Sequence, residues 1–213
     1  MEDIEIRRAT YPRVSEIIAK QNEAELRAIP LSILADACIR GTKVHEYCTT
    51  YMKNLWVMDI EPQYLPYFDA FRLWAKENVT RTLHSPVRLY DDQRRFSGEF
   101  DMIVELKTGE IALIDIKTSA AKSKSWAVQL AAYHHLCKLN GYPVDIMFNV
   151  HLKRKEAGEF EVNDQGEKVL VSPPVIKTSI VKCEDINASW EIFSSALRCY
   201  DYFDRKEKKN VCI

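Results

Sequence analysis

The sequence predicts an α/β protein with a central mixed β-sheet flanked by helices. Three observations carry this prediction. The N-terminal part has helical periodicity, the stretch from Val87 to Thr118 changes to short β-rich runs divided by turn residues, and a long helix, a strand and a terminal helix follow. Helices on both sides of a short run of strands bury their apolar stripes by layering onto the sheet. A tight hairpin between two strands excludes a purely parallel sheet. The 213 residues suffice for one such domain over 1–213. Its parts are a helical segment over about 1–80, a sheet and helix over about 81–152, and a hairpin and helix over about 153–213.

Taken in order, Arg13 to Ala28 has helical period, with Val14, Ile17, Ile18 and Leu26 as apolar positions. A second helix starts near Ser32, after Pro30, and runs to Trp56. Ile33, Leu34, Ala37, Val44, Tyr47, Cys48 and Tyr51 recur along it, with Gly41 weakening its middle. A third, from Leu65 to Asn78, offers Phe68, Phe71, Leu73 and Trp74 for burial. Val87–Tyr90, Phe96–Leu106 and Ile111–Thr118 read as strands, separated by Asp91-Asp92-Gln93 and Lys107-Thr108-Gly109. The next helix, Ser123 to Leu139, is closed by Asn140-Gly141 with Pro143 beyond. Val144 to Leu152 is another strand. Arg154 to Lys168 is polar, a loop or an exposed hairpin around Asn163-Asp164-Gln165-Gly166. Lys177 to Lys182 is an edge strand. Asn187 to Lys206 is a last helix, with Trp190, Phe193, Leu197, Tyr200 and Phe203 spaced for burial and a frayed end beyond it.

Hydrophobic residues at 46% and charged residues at 29% argue for a globular protein and against disorder. The net charge of −1 names no partner, so any polyanion must be met by a local basic surface. The acidic start, Met1-Glu2-Asp3-Ile4-Glu5, has no apolar run of a signal peptide, and no stretch has the length and apolarity of a membrane span. Cys38, Cys48, Cys137, Cys183, Cys199 and Cys212 are scattered without C-x-x-C spacing, which fits free thiols in a reducing cytoplasm.

The chemistry concentrates in Ser97-Gly98-Glu99-Phe100-Asp101 and Ile111-Ala112-Leu113-Ile114-Asp115-Ile116-Lys117-Thr118. Asp115 and Lys117 are two apart on a strand and point the same way, while Ile114 and Ile116 point into the core. With a three-residue loop, Gly109 takes the left-handed position, Leu106 pairs with Glu110, and Asp101 falls opposite Asp115 on one face. A two-residue loop would turn Asp101 to the other face. Two opposed carboxylates repel unless a cation lies between them, and a hard divalent ion with phosphate oxygens and water completing its shell meets that need. Asp-x-Lys is common on solvent-facing strands, and from the residues alone that plainer reading stays open.

Gly98-Glu99-Phe100-Asp101, Asp115-Ile116-Lys117-Thr118 and Gln129-x-x-x-Tyr133 resemble the motifs of the RecB-like branch of the PD-(D/E)XK nuclease superfamily, most closely small phage-type and mitochondrial exonucleases. Arg40-Gly41-Thr42-Lys43-Val44-His45 is similar to that branch's histidine-bearing helix. The resemblance runs from Thr10-Tyr11-Pro12 to the last helix and implies a restriction-endonuclease-like core. It implies Asp101 and Asp115 as ligands of Mg²⁺ or Mn²⁺, with His45 and the Ile116 carbonyl completing the set. It also implies Lys117 as the catalytic lysine, with Gln129 and Tyr133 facing the site. Without it, His45 reads as a packing or capping residue and Gln129 and Tyr133 as helix surface. Imidazole is softer than carboxylate, so His45 ligation shifts preference toward Mn²⁺. Two departures stand out. Leu83-His84-Ser85-Pro86-Val87 lacks the glutamate of many relatives, and the cysteines do not match an iron–sulfur pattern, so no cluster is expected.

Lys122 and Lys124 open the long helix, Arg94 and Arg95 precede the glycine motif, and Lys153-Arg154-Lys155 close a strand. Together they make a candidate phosphate groove. Trp126 could stack on a base but sits among apolar helix positions. No base-reading helix is apparent, so DNA is expected to be held by its backbone with little sequence preference. The resemblance implies a DNA exonuclease of recombination, repair or end processing in a bacterial or phage-infected cell, with recombination or replication proteins as partners. The alternatives are an endonuclease of the same superfamily and a nuclease-fold protein that binds nucleic acid without cutting it. The sequence sets no oligomeric state.

Overall fold

The computed structural model describes residues 5, 7 and 9–204, the side chains of 24 and 25 apart. The acidic start through Ile4, Lys206 and Cys212 lie outside the described residues. Three helices come first: α1 (Val14–Leu26), α2 (Leu31–Met52) and α3 (Leu65–Asn78). Five strands follow: β1 (Val79–His84), β2 (Val87–Asp91), β3 (Phe96–Phe100), β4 (Met102–Leu106) and β5 (Ile111–Lys117). Then come α4 (Ser125–Leu139), β6 (Ile146–Glu156), β7 (Glu159–Val162), β8 (Lys168–Ser172), β9 (Val175–Lys182) and α5 (Ile186–Phe203).

The central sheet is mixed and has the order β1-β4-β5-β6-β9. Only the β5–β6 pair is parallel, as the α4 crossover between them requires. Alternation along β5 sends its side chains into two separate cores. Ala112, Ile114 and Ile116 meet α2 and α3 through Val44, Cys48, Phe71 and Trp74. Leu113 meets α1, α4 and α5 through Ile17, Leu136 and Phe193. β5 is therefore buried on both faces, which explains its unbroken apolar run.

Several expectations are corrected. Phe96–Leu106 is not one strand, because the chain bends at Asp101. β3 pairs with β2 in a separate two-stranded sheet, whereas β4 joins the central one. The strand β1 occupies residues to which the sequence assigned no element; it reads poorly because only part of it is covered. Helix α2 stops at Met52, ahead of Asn54 at φ 58°, so Trp56 lies outside the helix and is 92% exposed. Leu26, Ile33, Leu73 and Phe203, spaced for burial, are exposed because no neighbouring layer reaches those faces. β6 runs on to Glu156, which makes Lys153-Arg154-Lys155 part of a strand, and β7 and β8 form the exposed hairpin. Trp126 is buried with its ring edge-on to His151, so it packs rather than stacks on a base. Among the described residues no helix is long and apolar enough to cross a membrane.

Candidate active site

The β4–β5 turn sets the register of everything around it. Gly109 takes φ 90° and the Leu106 amide donates to the Glu110 carbonyl, the three-residue loop form. Pairing then runs Glu105 with Ile111 up to Met102 with Ile114, and one more step lines Asp101 up with Asp115. There the backbone ladder stops. The Asp101 carboxylate itself accepts the Ile116 amide at 2.6 Å, closing off the strand in place of a main-chain carbonyl. In a strand the N–H and C=O of one residue point to the same neighbour, so the Ile116 carbonyl is aimed to this side as well.

Seven side chains meet at this end of β5. His45 Nδ1 stands 3.1 Å from Asp101 Oδ1. The Lys117 ammonium lies 2.7 Å from Asp115 Oδ2 and donates to Gln129 Oε1 at 2.6 Å. Gln129 Nε2 donates to the Tyr133 hydroxyl at 2.8 Å. Lysine can only donate, so the amide orientation of Gln129 is fixed and the Tyr133 proton is left free to donate elsewhere. The seventh is Asn149 on β6, which donates to Asp115 Oδ2 at 2.9 Å and is fully buried. Both donors to Asp115 converge on Oδ2, which leaves Oδ1 uncommitted among the described residues.

The two carboxylates are shifted in opposite directions. Burial raises the Asp115 pKa; Lys117 opposes it, the Asp101 charge adds to it, and the carboxyl ends above its ordinary range. Burial pushes Asp101 the same way, but the His45 charge and hydrogen bond and the Ile116 amide outweigh it, and Asp101 is lowered. His45 is pulled down by burial and more than restored by Asp101, so its imidazole holds a proton more tightly than usual. Tyr133 is driven well up, first by burial and then by Asp115, and stays a phenol.

The helix α4 reaches this centre because β3 lets it come close. A Cβ on Gly98 would lie 2.7 Å from Leu136 Cδ1 and 2.9 Å from Tyr133 Cε1, so the glycine of the motif is needed for space. Gly98, Glu99, Asp101 and Tyr133 line a cleft of about 310 Å³ together with His45, Arg13 and Arg88. Arg13 is held there by the Ser97 amide, which donates to the Pro12 carbonyl, and Arg88 pairs with Glu99 at 3.4 Å.

Of the residues singled out in the sequence, Asp101, Asp115, Lys117, Gln129, Tyr133 and His45 are brought together here, with the Ile116 backbone beside them. Lys122 and Lys124 stand exposed between the end of β5 and the start of α4. Arg94 and Arg95 do not approach the site. Extended β3 carries Arg95 about 20 Å from Asp101, and Arg94 packs over Trp190 of α5 and pairs with Asp91. The basic residues of the cleft are instead Arg13 and Arg88, which no motif marks. Asn149 was also missed, since only the parallel β5–β6 register puts it beside Asp115.

The sequence model of the PD-(D/E)XK nuclease superfamily matches residues 15–200 of this chain. The chain belongs to that superfamily. The mixed sheet flanked by helices is consistent with its restriction-endonuclease-like fold. No curated protein gives a significant match. Among solved structures, the crystal structure of SSO0001 is similar over 89% of this chain and 76% of its own, at 14% identity and a TM-score of 0.39.

PD-(D/E)XK nucleases generally use divalent metals such as Mg²⁺ or Mn²⁺. Among the described residues no three His, Cys, Asp or Glu side chains form a ready-made metal cluster. The donor set that is present nonetheless suits a hard cation: two carboxylates, one imidazole nitrogen and one main-chain carbonyl.

Proposed function

We propose that this PD-(D/E)XK nuclease is a divalent-metal-dependent DNA exonuclease of the RecB-like branch, acting in recombination, repair or end processing. The observation that carries the reading is the convergence of the Asp101 and Asp115 carboxylates at the end of β5, with the Lys117 ammonium beside Asp115 and His45 beside Asp101. In this reading Asp101, Asp115, His45 and the Ile116 carbonyl hold the metal. The bound cation would neutralise charge on the scissile phosphate and lower the pKa of an attacking water. Lys117, braced by Gln129, orients that water and faces the charge that builds on the phosphoryl oxygens. Tyr133 fixes Gln129 and has a proton to give to a phosphate oxygen. Asn149 holds Asp115 at Oδ2 so that Oδ1 stays available.

End-labelled and covalently closed circular DNA, incubated with Mg²⁺ or Mn²⁺, test the reading. Linear DNA is expected to be degraded from its ends and the circle spared; a nicked or linearised circle would make the protein an endonuclease. With His45 among the ligands, cleavage in Mn²⁺ is expected to equal or exceed that in Mg²⁺. A clear Mg²⁺ preference would remove His45 from the shell. Asp115→Ala is expected to abolish cleavage, and an unchanged rate would show that the centre lies elsewhere.

A further inference from the structure

The sheet register reveals a line of lysines that leaves the candidate centre on the side away from the cleft. Asp115 aligns with Asn149 and Lys117 with His151 across the parallel β5–β6 pair. Two residues on, Lys153 lies on the same face, and the β6–β9 pairing sets it directly opposite Lys177. Arg154 alternates to the other face, where its charge acts on Tyr67. By strand spacing and rise, the Lys153 Cα stands about 8 Å from that of Lys117 and the Lys177 Cα about 12 Å.

Like charges directly opposite on neighbouring strands destabilise a sheet. The sequence keeps such a pair where both side chains are exposed, and among the described residues no ion pair involves Lys122, Lys124, Lys153 or Lys177. Lys122 and Lys153 both act electrostatically on buried His151, so the start of α4 and the end of β6 present their charges to one place. On the opposite side of the centre, Arg13 and Arg88 line the cleft. The two acids and Lys117 thus lie between two basic groups, along a line running across the strands from β3 to β9.

We propose that Lys122, Lys153 and Lys177 bind successive phosphates of a polynucleotide strand that crosses the ends of β5, β6 and β9, with its scissile bond over Asp115. This rests on the nuclease reading for the position of the scissile bond but not for binding. The β2–β3 turn that carries Arg94 and Arg95 lies off this path.

Anisotropy of a labelled oligonucleotide in EDTA, titrated over a range of salt, tests it without cleavage. Each lost phosphate contact lowers the slope of log Kd against log salt by about 0.7 for a single strand or 0.9 for a duplex. Lys153→Gln/Lys177→Gln is therefore expected to lower the slope by about 1.4 to 1.8, with a Tm no lower than that of the parent chain, because the repelling pair is gone. Lys76→Gln/Lys138→Gln removes equal charge at the other end of the sheet and should keep the parent slope. An unchanged slope in the first variant, equal falls in both variants, or no salt-dependent binding by the parent chain would overturn the proposal. Failure of the nuclease reading shows separately, as absence of cleavage when metal is added to a chain that still binds.

Discussion

The molecule contains two aspartate–histidine pairs built from the same parts and set in different surroundings. Asp91 at the end of β2 accepts from the Arg94 amide at 2.8 Å, from His135 at 2.8 Å and from the Arg94 guanidinium at 3.2 Å. Asp101 accepts from the Ile116 amide and faces His45. At Asp91 a single carboxylate has all its partners, and the His135 ring is stacked on both Trp190 and Phe96. At Asp101 a second carboxylate, Asp115, shares the space, with the Lys117 ammonium beside Asp115 and the imidazole of His45 beside Asp101. The first pair is complete and sealed by aromatic rings. The second opens on a cleft and holds two carboxylates whose pKa values are shifted in opposite directions.

Asp115→Asn should have the largest effect. If Asp115 is a metal ligand, this change should lower cleavage by about 10³-fold or more, since the lost charge stabilisation is worth several kcal/mol. Thermal stability should stay level or rise, because a carboxyl with a raised pKa is one whose charge the fold resists. A fall in Tm together with retained cleavage would make Asp115 a structural acid like Asp91.

Which of these features could be read from the sequence follows from what sets them. The Asp101–Asp115 register depends on three loop residues ending in Gly109, so local information suffices. The Lys117–Gln129–Tyr133 chain also lies within one strand and the helix that follows it. Asn149 does not, because it reaches Asp115 through a parallel pairing 34 residues away whose register no turn fixes. The bend at Asp101 has no glycine or proline to announce it; it arises where the carboxylate takes over the Ile116 amide. Arg94 and Arg95 are close to Asp101 in the chain, yet an extended strand turns that closeness into distance. Burial misled where a helix outruns its layer, as at Ile33 of α2 and Leu73 of α3.

The reverse substitution sharpens the contrast. Asp91→Ala strands His135 and Arg94 and should cost about 2 kcal/mol, which is roughly 4–8 °C in Tm for a domain of this size. Cleavage per folded molecule should hold, because none of these residues lines the cleft. Gln129→Ala comes next in size. It cuts the link between Lys117 and Tyr133 without touching a carboxylate, and a fall of about tenfold in kcat is expected, the scale of losing an orienting partner. A change in KM alone would place Gln129 in substrate binding instead.

The smallest effect separates the two centres by sign. Burial raises the Asp91 pKa, but the Arg94 amide, His135 and the Arg94 guanidinium outweigh it, and the net shift is downward. Asp91 therefore adds stability above the ordinary carboxylate range and loses it as pH falls through the depressed value. Asp115 is shifted upward, so between its ordinary and folded values the folded state binds more protons, and stability rises as pH falls through that window. Melting Asp91→Asn and Asp115→Asn against the parent chain from neutral to acid pH should give two difference curves. The first starts below zero and the second above it, and both approach zero as the carboxyls of the parent chain are protonated. Two curves starting on the same side would mean that both centres are plain ion pairs, and that the fold does not resist the charge on Asp115.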